Sequence, residues 1–109
     1  MFAETPEPPY YAVSFTSTHG DDLEGYDAEL AAISELAARQ QGFLGIESAR
    51  TTEGFGITIV YYDSLEAIDG WRQNTDHKRA KARGRKTWYD RYILRISRVE
   101  SATDFRRQS

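Results

Sequence analysis

The 109-residue chain predicts an α+β domain, a four-stranded antiparallel sheet with helices on one face, in the order β-α-β-β-α-β. Three observations predict it. Four strand-length segments are rich in aromatic and β-branched residues. The two segments between the first and second and between the third and fourth of these space their apolar residues three and four apart. The middle two strand segments are separated by only a short polar link, as in a hairpin.

The first strand is read at 10–18, YYAVSFTST, running into the turn HGDD. Asp21 or Asp22 is placed to cap the helix that follows, in which Tyr26, Leu30, Ile33, Leu36 and Ala37 form one buried stripe. Acids gather early in it (Asp22, Glu24, Asp27, Glu29) and Arg39 stands near its end, as the helix dipole favours, with Gly42 placed to terminate it. FLGIESART (43–51) and FGITIVYYD (55–63) form the hairpin, with Glu53 and Gly54 in its link. Ser64 opens a second helical region that puts Ile68 and Trp71 on one face. Asn74 and Thr75 interrupt it, and Thr75, with Asp76 beside it, caps a second short helix reaching about Arg83, with Gly84 at its end. RYILRISRVE (91–100) alternates Tyr92, Leu94 and Ile96 against Ile93, Arg95 and Ser97 and reads as the last strand.

This length makes one domain, read over 10–105, with a flexible N-terminal arm at 1–9 and a short tail at 106–109. There is no cysteine, which excludes disulfides and thiolate metal sites, and two widely separated histidines do not make a zinc site. MFAETPEPP carries acids and prolines where a signal peptide needs basic and then apolar residues, and no apolar run approaches the roughly 20 residues of a membrane span. A soluble, cytoplasmic protein is expected. On the third strand Phe55, Ile57, Ile59 and Tyr61 face one way and Thr58, Val60 and Tyr62 the other, so both sheet faces carry apolar side chains. Helices cover one face only; the other predicts a homodimer packed through its sheets.

The net charge is −3, yet Lys78, Arg79, Lys81, Arg83, Arg85 and Lys86 form a run without an acid, leaving eight basic against 17 acidic residues elsewhere. At helical spacing these cations occupy a broad arc facing away from the sheet, while His77, Ala80, Gly84 and Trp88 share the remaining arc. The run reads first as a solvated face and second as a nucleic-acid handle. EGFGITIV (53–60) has the third-strand position of an RNA-recognition signature at Gly54, Phe55 and Gly56, but Glu53, Ile57 and Val60 replace its cation and two of its aromatics. Nucleic acid is therefore not the expected partner.

A pocket between the second helical region and the sheet is the sharper reading. Trp71, Trp88, Tyr89 and Tyr62 supply aromatic walls with polar tips, and small Ala80 and Gly84 leave room beside His77. His77 has the titration range of a general acid or base. Trp71 and His77 would lie about 120° apart on one unbroken helix; the interruption at Asn74 and Thr75 lets both face one cavity. His19, in the turn THGDD, is assigned to the surface.

YYAVSF, QGFLGIES, GFGITIVYYDSLEAIDGW, HKRAKARGRKTWY and YILRISRVE together resemble the antibiotic biosynthesis monooxygenase domain family over about residues 10–105. The resemblance implies ferredoxin-like subunits that dimerise through their sheet faces into a dimeric α+β barrel, with a cavity between helices and sheet. It also implies cofactor-independent oxygenation of a planar aromatic or quinol-like small molecule, with no metal or flavin. In such a site His77 and Trp71 would be catalytic and Tyr62, Trp88, Tyr89, Ala80 and Gly84 would bind ligand. A non-catalytic small-molecule-binding dimer is the alternative. The haem-degrading branch pairs a first-strand asparagine with a histidine nine or ten residues after the tryptophan. Here the first strand has no asparagine and Ala80 and Lys81 follow Trp71 at that distance, so haem degradation is not implied.

Overall fold

The computed structural model describes residues 2–83 and 88–108, leaving out the side chains of Thr75, Asp76, His77 and Ala80. In chain order the elements are β1 (Tyr10–His19), α1 (Tyr26–Ala38), β2 (Phe43–Arg50), β3 (Phe55–Tyr62), α2 (Leu65–Gln73), α3 (Thr75–Arg83) and β4 (Tyr89–Val99). β1 pairs antiparallel with β3 and with β4, and β2 pairs antiparallel with β3, giving one sheet in the order β2-β3-β1-β4. Val13 at the sheet centre lies opposite Val60 on one side and Ile96 on the other.

Local chemistry sets most boundaries. Ser64 adopts an extended backbone and its hydroxyl accepts the Ala67 N–H at 3.1 Å, capping α2. Asn74 leaves the helix (φ −61°, ψ 126°), and its carbonyl accepts the Lys78 N–H at 3.0 Å. The break between α2 and α3 is where the sequence places it, with Asn74 rather than Thr75 as the flanking residue. Gly42 sits at φ 86°, where an ideal Cβ would stand 2.6 Å from the Ala67 Cβ, so only glycine lets the chain pass under α2 into β2.

Two boundaries differ from expectation. α1 starts at Tyr26 behind Gly25, which is left-handed (φ 79°) and supplies no side-chain cap. Asp22 instead accepts the N–H of Glu24 at 3.2 Å, closing a local turn before the helix begins. β4 begins at Tyr89, so Tyr89 opens a strand, directly after Trp88. Gly84 lies outside the described residues.

The helices cover one sheet face. Ala37, Tyr62, Ile68 and Trp71 form the buried cluster, with Tyr11, Val13, Ile33, Leu36, Phe43 and Val60 packed around it. The opposite face leaves Phe55 48% and Ile57 40% exposed. At its β2 edge the N-terminal arm crosses Gly45. There the Ala3 N–H donates to one carboxylate oxygen of Glu47 at 3.0 Å, and Tyr61 donates to the other at 2.6 Å. Among the described residues, no helix is long and apolar enough to cross a membrane.

Candidate functional site

Between the helix-facing side of the sheet and the helices lies a partly open cavity of about 160 Å³. Alternation along the strands supplies its floor: Val13 and Phe15 from β1, Ile46 and Arg50 from β2, Thr58 and Val60 from β3, and Tyr92 and Leu94 from β4. Tyr26, Leu30, Ile33 and Ala37 of α1, Trp71 and Arg72 of α2, and Lys81 of α3 supply its roof. Trp88 and Tyr89 close one end.

That end is an array of rings in edge-to-face and tilted contact. Phe15 lies 5.1 Å from Tyr89 and 5.0 Å from Tyr92, and Tyr26 lies 5.4 Å from Trp88 and 6.0 Å from Tyr89. Two hydrogen bonds fix the rings. The Trp88 indole N–H donates to the Glu24 carbonyl at 3.2 Å, and the Tyr89 hydroxyl donates to that of Tyr26 at 3.5 Å. Burial pushes the Tyr89 phenol well above its ordinary range; the Tyr26 bond adds to this and the nearby Arg50 charge opposes it. Tyr89 is therefore a neutral donor and wall at physiological pH.

Arg50 is the charged residue of the floor. Its Nη1 donates to the Ser17 carbonyl at 3.4 Å and to the Gly54 carbonyl, and its Nη2 to the Ser17 hydroxyl. Ser17 is 2% exposed and is held there by this contact. The guanidinium crosses Gly56, where an ideal Cβ would approach its Cζ to 2.7 Å, so glycine at this point makes room for the arginine.

Trp71, Trp88 and Tyr89, named from the sequence, meet at this cavity. Tyr62 stands beside it in the core at 0% exposure, 6.1 Å from Phe43, its hydroxyl lacking a hydrogen-bond partner among the described residues. The side chains of His77 and Ala80, and all of Gly84, lie outside the described residues. The basic run does not face uniformly away from the sheet. Lys81 lines the cavity, and Arg83 turns to Glu29 of α1 at 3.8 Å and over the Trp88 ring at 5.1 Å. Long aliphatic stems allow this, because a cation rooted on a helix flank can carry its charge several ångströms round the helix. His19, assigned to the surface, is half-buried, its ring 5.8 Å from Tyr26 and against Gly54.

Arg50, Phe15 and Tyr26 were not picked out from the sequence. Period-two reading of β2 carries the signal for Arg50, since Ile46, Ser48 and Arg50 share one strand face. Among the described residues, no group of three or more His, Asp or Glu side chains is arranged to hold a metal ion.

Residues 9–83 match a family model described as antibiotic biosynthesis monooxygenase. The uncharacterized protein YqjZ of Bacillus subtilis (strain 168) is 46% identical over 100 residues, spanning 92% of this chain and 88% of its own. SnoaB, a cofactor-independent oxygenase from Streptomyces nogalater, superposes with a TM-score of 0.70 at 11% identity, covering 89% of this chain and 97% of its own. Protein SO0527 of Shewanella oneidensis gives 0.72 at 11% identity, covering 93% and 100%. At such identities these structures speak for the fold alone.

Proposed function

The chain belongs to the antibiotic biosynthesis monooxygenase family, and on that premise we propose that it is a cofactor-independent monooxygenase of a planar aromatic, quinol-like molecule. The observation that carries the reading is the partly open, aromatic-walled cavity between sheet and helices. A fold held by proteins of many activities would not carry it alone.

The chemistry needs little from the protein. A quinol that loses a proton becomes electron-rich enough to reduce dioxygen itself. A new C–O bond forms at the ring, one oxygen atom stays in the resulting hydroxyquinone, and the other leaves as water with the substrate's two hydrogens. The chain supplies a proton acceptor, a fixed ring orientation and a dry site. We assign proton acceptance to His77, whose backbone position on α3 is one helical turn ahead of the cavity-lining Lys81. Trp71 forms the roof over the substrate ring, and Trp88 and Tyr89 the end wall. Tyr62, Ala80 and Gly84 complete the assignment, as core support beside the roof and as small residues along α3 and just past it. The proposed assembly is a homodimer joined through the face that carries Phe55 and Ile57, which leaves each cavity intact on the opposite side of its sheet.

The test is oxygen consumption with 1,4-hydroquinones in an oxygen electrode, compared with His77→Ala and Trp71→Ala. Catalysis is expected to fall on the order of 10²-fold or more in His77→Ala while the far-ultraviolet spectrum is retained. Quinols that bind without oxygen uptake above the protein-free rate would instead establish a non-catalytic binding protein.

A further inference from the structure

The cavity is uneven in charge. Its lining contains three cations, Arg50, Arg72 and Lys81, and one carboxylate, Glu29, which already faces Arg83 at 3.8 Å. Among the described residues no carboxylate pairs with Arg50, whose partners there are the neutral oxygens of Ser17 and Gly54. Those bonds use both Nη1 hydrogens and one on Nη2. They leave the Nε–H and the second Nη2 hydrogen without an acceptor among the described residues. This pair forms the side-on fork that matches a carboxylate. A half-buried cation held only by neutral acceptors retains an uncompensated charge in a medium where charge is costly. Arg50 is thus pre-oriented by protein contacts and has no counter-ion among the described residues.

Size narrows the ligand further. A cavity of roughly 150 Å³ accommodates benzene, and the space here is about 160 Å³. One substituted ring fits without displacement of the helices.

We propose that the cavity selects a single-ring aromatic carboxylate, its ring between the sheet floor and Trp71, its carboxylate on the free fork of Arg50, and Lys81 completing the charge balance. This rests on the reading of the cavity as an aromatic ligand site and adds the charge of the substrate to it. A quinol bearing a carboxyl group satisfies both.

The experiment compares 2,5-dihydroxybenzoate with its methyl ester, which has the same ring without the charge, under nitrogen so that no oxygen chemistry intervenes. Both tryptophans of the chain border the cavity, so their fluorescence reports occupancy directly. The acid is expected to bind at least tenfold more tightly than the ester. Lys81→Gln should weaken the acid several-fold and leave the ester unchanged, and Arg50→Gln should bring the acid-to-ester ratio near one. If Arg50→Gln does not fold, Lys81→Gln and salt carry the test: raising KCl from 0.05 to 0.5 M should weaken the acid and not the ester. Acid and ester of equal affinity would overturn the charge inference while leaving the aromatic cavity in place. So would an acid preference that both variants and salt leave unchanged. Failure of both compounds to bind would overturn the cavity reading beneath it.

Discussion

Tyr62→Phe is expected to stabilise the protein. Tyr62 is fully buried beside Ala37, Ile68 and Trp71, its ring packs edge-to-face on Phe43, and its hydroxyl has no hydrogen-bond partner among the described residues. Burial alone pushes this phenol above its ordinary range, the response of a polar group held in apolar surroundings. Burying a hydroxyl without a partner costs about 1–3 kcal/mol. Removing it leaves a void the size of one oxygen atom, and at about 24 cal/mol per Å³ of cavity this returns only a few tenths of a kcal/mol. The net expectation is a gain of about 1–2 kcal/mol. For a domain of this size each kcal/mol moves Tm by roughly 4–8 °C. Thermal unfolding by circular dichroism, at one fixed concentration because the Tm of the proposed dimer depends on it, measures the change. A fall of more than about 1 kcal/mol would refute the reasoning, since it would mean that the hydroxyl has a partner whose loss outweighs its burial. Quinol affinity is a second readout: an unchanged Kd is expected if Tyr62 serves as core, and a loss would move it into direct ligand contact.

Gly42→Ala should destabilise by about 1–2 kcal/mol from the left-handed backbone alone, and by more from the contact with Ala67; a chemical-denaturation midpoint within error of the parent would refute this. Tyr61 is held neutral by burial and then by its bond to Glu47, which push its phenol up to about 12. Because the folded value is raised, its contribution is intact below the ordinary value near 10 and is lost as pH rises from 10 to 12. Tyr61→Phe should therefore show a smaller drop in Tm across that window, with the remaining drop due to Tyr62 and Tyr89, whose phenols are also raised. Ile57→Lys places a charge on the exposed sheet face and should halve the mass seen by sedimentation equilibrium while leaving quinol binding intact; a parent protein that already sediments as a monomer would exclude the dimer.

The parts of the fold legible in the sequence are those fixed by neighbours in sequence. Ser64 caps α2 with its own hydroxyl, Asn74 breaks the helical run, and period-two alternation locates β3. The lining of the cavity was legible where a large aromatic must be buried somewhere, as with Trp71. It was illegible where position depends on partners distant along the chain. Arg50 is fixed by Ser17, 33 residues away, and Trp88 by the carbonyl of Glu24, 64 residues away. Neither partnership leaves a local pattern. The basic run misled for a related reason. A helical wheel places Cα positions, but Lys81 and Arg83 act through side-chain ends that reach the cavity wall and Glu29.

The distribution of burial argues that the cavity has been retained and is not a packing defect. Full burial is reached toward the α2 end of the helix-facing layer, at Tyr62, Ile68 and Ala37. Val13, Phe15 and Val60, which line the cavity floor on the two inner strands β1 and β3, are only half-buried. A sheet's inner strands are where apolar side chains are normally most completely covered, and filling such a gap typically stabilises a protein by about 0.5–2 kcal/mol. One larger residue on α1, at Ala37 or at the half-exposed Leu30, would begin to close it. The chain instead spends its bulk at the end of the cavity, in the Phe15, Tyr26, Trp88, Tyr89 and Tyr92 array. It also holds at the floor an arginine whose Nε–H has no acceptor among the described residues. Space, rings and an unsatisfied charge at one place depart from the packing rule together, as sites shaped by a ligand do.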